Sequence, residues 1–122
     1  MTLKDKKIIV VSPHPDDETL VAHNWEELRR CMWNFVGIVR NNERLKRAKR
    51  RITLLHEEIQ EHYEKHRVNN DLLELRNLIL VSSLIIDSAL SRKESRGLHY
   101  NIDYPKILDK AENTVLTPPE AP

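Results

Sequence analysis

Only two glycines, Gly37 and Gly97, occur in the 122 residues. A positive φ is cheap only at glycine, so a chain this poor in it cannot make the many tight turns of a β-sandwich or barrel. Two glycines sixty positions apart also cannot build G-x-G-x-x-G or a Walker loop, so no self-contained dinucleotide or P-loop site is encoded. What remains is a chain of long helices and few turns. Its 122 residues suit one domain or a piece of a larger protein.

Charge and cysteine usage narrow the classes further. The net charge of +1 gives no bulk attraction to nucleic acid or to a membrane surface. Cys31 is the single cysteine, which excludes an internal disulfide and a cysteine-based zinc finger and fits a reducing, cytoplasmic setting. The most apolar stretch, Leu72 to Leu90, carries Glu74, Arg76 and Asp87 and is not a membrane span. Ile8 to Val11 is too short for the core of a signal peptide.

Along the chain, Ile8-Ile9-Val10-Val11 reads as a short buried strand stopped by Ser12-Pro13. Asn24, with Glu27 three residues on, reads as the cap of a first helix. Trp25, Leu28, Met32, Phe35 or Val36, and Val39 follow at helical steps, and Gly37 weakens the end. Asn41-Asn42 supplies a break or a new cap. A second helix is predicted from about Glu43 to His66, with Leu45, Ala48, Ile52, Leu55, Ile59 and His62 or Tyr63 as its buried stripe. Glu43–Arg47 and Glu61–Lys65 are i,i+4 pairs in the favourable order. A third helix is predicted from about Leu72 to Ser95, capped by Asn70 or Asp71, with Gly97 as a left-handed C-cap.

That third helix is apolar around most of its circumference. Leu72, Leu75, Ile79 and Ile86 mark one face, Leu73, Leu80 and Leu84 lie off it, and Leu78, Val81 and Ile85 fall between. Two neighbouring helices would leave part of it wet, so a cover beyond these helices, or self-association through the Leu73–Leu80–Leu84 face, is expected. The expected architecture is all-α: an antiparallel three-helix bundle over 23–105, an N-terminal strand or extended segment over 1–22, and an irregular tail over 106–122.

Four groups of side chains bear on chemistry. His14-Pro15-Asp16-Asp17 could present an imidazole and carboxylates to a metal, or be a surface turn. His62 and His66 stand at i,i+4, but His56-Glu57-Glu58-Ile59-Gln60 is not H-E-x-x-H, and packed or solvated histidines are the simpler reading. Arg44 to Arg51 is six basic residues in eight, either a phosphate-contacting helix or a solvated, domain-docking face, the latter favoured because Leu45 and Ala48 belong to the core stripe. Arg96 and His99 lie just past the third helix, where Arg96 could clamp a carboxylate.

Two resemblances overlay this reading. Lys7 to Leu20, with His14-Pro15-Asp16-Asp17 at its centre, closely resembles the opening of the zinc-dependent de-N-acetylases of the LmbE/PIG-L type. That resemblance implies His14 and Asp17 as zinc ligands and Asp16 as general base. It ends at Val21, and no later motif supplies the family's third ligand.

The second covers about Val21 to Pro105. The runs from His23 to Arg30, Met32 to Arg40, Leu72 to Leu78 and Arg92-Lys93-Glu94-Ser95-Arg96-Gly97-Leu98-His99-Tyr100, closing on Asp103-Tyr104-Pro105, resemble the C-terminal helical domain of the L-aspartate oxidases. The last block also resembles the succinate dehydrogenase and fumarate reductase flavoproteins. The resemblance implies a helical domain appended to FAD-binding and substrate-capping domains that oxidise L-aspartate to iminoaspartate on the way to quinolinate and NAD. The family's catalytic and FAD-binding residues lie upstream, so no catalytic, cofactor-binding or metal residue is assigned here. The expected partners are the flavin-binding and capping domains; FAD on this chain, nucleic acid and membrane are not expected.

Overall fold

The structure, a computed structural model, describes residues 15–119. Helices α1 (Pro15–Phe35), α2 (Asn42–Lys65) and α3 (Asn70–Ser91) form the frame. Two-residue strands β1 (Val39–Arg40) and β2 (Tyr100–Asn101) follow α1 and α3 and pair in parallel, Val39 opposite Tyr100 and Arg40 opposite Asn101. The three-helix bundle is therefore as expected; the strand pair was not foreseen.

The core runs along the centre of the bundle. In α2 the buried residues are Leu45, Ala48, Ile52, Leu55, Ile59 and His62, as the 3-4 spacing predicted. They meet Leu72, Leu75, Ile79 and Ile86 of α3 and Val21, Leu28, Cys31 and Val36 on the α1 side. Glu43–Arg47 (4.0 Å) and Glu61–Lys65 (2.9 Å) form on the solvent face of α2.

The helix ends differ in detail from expectation. Asn24 does not cap α1, which already runs from Pro15; residues 15–22, expected to be extended, are its first turns. A proline followed by Asp16, Asp17 and Glu18 is itself helix-start composition. Asn24 lies instead in the interior of α1, buried on the core face. Asn41 caps α2, its side-chain oxygen accepting from Arg44 N at 2.7 Å. Asn69 caps α3 through Leu72 N at 2.8 Å, one residue before the expected cap. The helix α3 stops at Ser91, with Arg92 as C-cap, rather than at Ser95. Gly97 does take a left-handed φ of 63°, but within a four-residue turn in which Arg96 and His99 exchange both backbone hydrogen bonds. Gly37 marks the exit from α1: a Cβ there would lie 3.0 Å from the Trp33 carbonyl oxygen. Val39, expected on the helical stripe, lies in β1. The strand predicted at Ile8 to Val11 lies outside the described residues.

Candidate functional site

The bundle end that carries β1 and β2 gathers three of the six buried polar residues of the described chain. Glu94, Ser95 and Asn101 are all buried there. The Ser95 hydroxyl donates to the Tyr104 carbonyl (2.7 Å) and accepts from Asn101 N (3.0 Å). The Asn101 side chain donates to Asn42 Oδ1 at 3.1 Å, and Asn42 N donates to Asp103 Oδ2 at 2.7 Å. Ile102 N donates to the Arg40 carbonyl at 2.8 Å. These bonds fasten the segment after α3 to the junction of α1 and α2, and they satisfy polar groups that would be costly to bury alone.

Glu94 anchors the start of the tail. One carboxylate oxygen accepts from Arg96 Nε (3.0 Å) with Arg92 Nη2 at 3.6 Å; the other accepts from Leu108 N (2.9 Å). The bond from Arg96, then that from Leu108, holds its pKa below the ordinary 4.5. Arg96 therefore grips a carboxylate, but the chain's own and through Nε alone, while its Nη2 donates to the Leu108 carbonyl (2.7 Å). Arg92 reaches further along the tail, to the Glu112 carbonyl (2.9 Å) and Thr114 Oγ1 (3.0 Å).

His99 bridges the two sides. Arg40 can only donate, so His99 Nδ1, 3.0 Å from Arg40 Nη1, is the acceptor. The ring proton then sits on Nε2, 3.2 Å from the Arg92 carbonyl oxygen. Burial pushes the imidazole below its ordinary 6.5, and the Arg40 and Arg92 charges add to this against the pull of the carbonyl bond. The ring is a neutral spacer between two cations. Beside it runs a groove of about 360 Å³ lined by Val81, Leu84, Ile85, Ser88 and Ala89 of α3 and by Arg40, Arg92, His99 and Thr114.

The other sequence candidates are not drawn together. His14 lies outside the described residues; Asp16 and Asp17, expected in a loop, fall in the first turn of α1. His62 and His66 stack, ring centres 4.2 Å apart, within α2 and its cap. Among the described residues no three His, Cys, Asp or Glu side chains gather as a metal site. Cys31 is buried, and burial raises its pKa, so the thiol stays protonated and unreactive.

Half of the basic run of α2 is engaged within the chain, while Arg44, Lys46 and Arg50 are exposed. Arg47 and Arg51 lie over the Phe35 ring at 5.7 and 5.9 Å, and Lys49 pairs with Asp87 of α3 at 2.7 Å. No described helix is long and apolar enough to cross a membrane. The outward side of α3 is open as its pattern predicted: Leu73, Leu80 and Leu84 are 36%, 43% and 52% exposed, and Leu78, Val81 and Ile85 are similarly open. The groove was not foreseen, because Arg40 and His99 are fifty-nine positions apart and only the strand pairing joins them.

Residues 25–117 match a family model described as the fumarate reductase flavoprotein C-terminal region. The chain is similar to L-aspartate oxidase 1 of Ralstonia nicotianae, 64% identical over 103 residues that make up 84% of this chain and 19% of that protein. It is 58% identical over 104 residues to the L-aspartate oxidase of Pseudomonas aeruginosa, 85% of this chain and 19% of that one. A plant relative, the chloroplastic L-aspartate oxidase 2-a of Nicotiana tabacum, is 42% identical over 99 residues, 76% of this chain and 15% of the relative. The chain thus spans less than a fifth of the length of these relatives.

Proposed function

Since the chain belongs to the family of fumarate reductase flavoprotein C-terminal domains, we propose that it is the helical C-terminal domain of an FAD-dependent L-aspartate oxidase, structural rather than catalytic on its own. The observation that carries this reading is the 64% identity to an L-aspartate oxidase, sustained over 103 residues. The open apolar side of α3 supports it, since such a surface suits a module that packs against a larger body.

In this reading the parent enzyme converts L-aspartate to iminoaspartate in the cytoplasm, feeding quinolinate and NAD synthesis. FAD, as hydride acceptor, belongs to the parent's remainder. The usual cradle for its pyrophosphate is a strand, a glycine turn and a helix N-terminus. The strands described here are two residues long, and the two glycines sit in a helix exit and in a four-residue turn, so the described residues supply no cradle of that kind. The chain's own work is to keep the segment after α3 fastened to the junction of α1 and α2 by the Glu94, Ser95 and Asn101 bonds, a latch, and to present α3 to the flavin-binding and capping domains.

The test is a chimera of the Ralstonia L-aspartate oxidase 1 in which the 103-residue matched segment is exchanged for that of this chain. Retained FAD and aspartate oxidation are expected. A soluble chimera that is flavin-free and inactive would overturn the reading. The 122-residue chain alone is expected to purify colourless and without aspartate oxidase activity.

A further inference from the structure

We propose that the groove at the C-terminal end of α3 is the docking seat for a segment of the parent's flavoprotein part, apolar but for one carboxylate, and that Arg40 receives that carboxylate. This rests on the reading above and adds to it which surface docks and what chemistry it selects.

Arg40 is the reason. Its Nε donates to the Gly37 carbonyl (3.0 Å), its Nη2 to the Val36 carbonyl (3.4 Å) and its Nη1 to neutral His99 (3.0 Å). No carboxylate among the described residues lies within 4.0 Å of it, whereas Arg47, Lys49, Arg51, Arg92 and Arg96 each have one; Arg44, Lys46 and Arg50 also lack one but are exposed, and Arg76 lies over the Tyr63 ring. The guanidinium is half-buried, and burial alone pushes its pKa below the ordinary value. A half-buried guanidinium whose acceptors are all neutral is open to a carboxylate, with which arginine makes strong charge-assisted bonds.

The walls select the rest of the occupant. Val81, Leu84, Ile85 and Ala89 offer apolar surface, and no acidic residue lines the groove. A small free dicarboxylate would cover the cations and leave the apolar wall wet. A second copy, laid groove to groove, would bring Arg40 and Arg92 against their own duplicates. A polypeptide segment with apolar residues around one Asp or Glu matches both features. The relatives carry about four-fifths of their length outside the matched segment, ample chain to provide it.

The experiment uses the flavin-loaded chimera described above, with a photocrosslinking amino acid at Ile85, and reads the partner peptide by mass spectrometry. Crosslinking to a flavoprotein-part peptide containing Asp or Glu supports the proposal. Crosslinking to a second copy, to a peptide without an acid, or to nothing overturns it, while retained flavin and activity would leave the domain reading standing. The second measurement is proteolysis between the flavoprotein part and α1. Arg40→Gln should raise cleavage and cut crosslinking by about tenfold, the effect of losing one charge-assisted bond. Arg40→Lys should restore part of it, and unchanged rates in Arg40→Gln overturn the proposal. Because Arg40 also holds the α1 exit, Ser88→Glu serves as an independent variant. It places a carboxylate in the groove without touching those bonds, and it should compete the partner away with helicity unchanged. A Ser88→Glu chimera that crosslinks normally overturns the proposal.

Discussion

Asn24 sits where the core stripe of α1 calls for an apolar side chain. It is 1% exposed, three residues after buried Val21 and four before buried Leu28. Its Nδ2 is fully buried with no hydrogen-bond partner among the described residues. Replacing it with leucine removes an unsatisfied amide, a relief of about 1–3 kcal/mol. It also buries a full aliphatic side chain, about 1.5–3 kcal/mol, and improves helix propensity by about 0.4 kcal/mol. Against these stands the strain of a bulkier group in a packed site, about 1–3 kcal/mol. The favourable effects win, and Asn24→Leu should stabilise the chain by about 2 kcal/mol, equivalent to roughly 8 °C in melting temperature for a chain of this length. Asn24→Ala should lie near neutrality, because it removes the orphan donor but leaves a void. Urea unfolding followed by circular dichroism measures both, with unchanged m-values as the check that the denatured state is not what moved. Destabilisation by Asn24→Leu beyond 1 kcal/mol, with helicity intact, would refute the reasoning: the amide would then be serving a partner, such as a buried water, that leucine evicts.

Four further outcomes follow from the latch and from α3. Glu94→Gln should leave helix content unchanged but free the tail after residue 105, read as faster tryptic cleavage at Lys106 and Lys110, because Leu108 N and Arg96 lose a charged acceptor. His99 is neutral when folded, so the unfolded chain takes up a proton near 6.5 that the folded chain refuses. The stability it contributes is complete above that value and drains as pH falls through it; stability measured between pH 8 and 5 should lose that slope in His99→Gln. Glu94 acts in the same direction lower down, contributing above its ordinary 4.5 and failing as pH drops through its depressed folded value. The isolated 122-residue chain should self-associate in sedimentation as concentration rises, and Leu80→Asn with Leu84→Asn should return it to monomer.

The parts of this fold set by local periodicity can be read directly from the residues. The α2 stripe from Leu45 to His62 is a 3-4 repeat with charged residues between, and only one face of a helix can bury it. The Asn41 cap is equally local, since side chain and recipient amide are three residues apart. Where several local signals compete, the outcome depends on more than each alone. Asn24 carries the pattern of a cap, yet the proline and acids at 15–18 start the helix earlier and leave the asparagine inside it. Gly97 carries the pattern of a helix C-cap, yet α3 ends six residues before it, and the same left-handed backbone serves a later turn. The latch and the groove have no local signature. Glu94 with Leu108, Asn101 with Asn42, and Arg40 with His99 are joined by chain return, and no spacing rule links such pairs.

The third helix differs, in sequence, from a helix built to face water on its outer side. A helix that meets two neighbours and solvent needs one apolar stripe, as α2 has, and fills the rest with charges that form i,i+4 pairs. On α3 the side facing away from Ile79 carries Leu73, Leu80, Leu84, Val81 and Ile85. Polar residues on that side are few and uncharged between its ends: Asn77 and Ser88 interrupt the apolar surface, with Glu74 near the start and Arg92 at the C-cap. Each buried aliphatic side chain is worth about 1.5–3 kcal/mol, so half-exposed ones on this scale represent several kcal/mol left unrealised in the free chain. Arg40 adds a charge without a counter-charge at the same end of the same surface. Apolar area without a cover and a cation without an anion are separate deficits, and a single docked segment bearing one carboxylate resolves both.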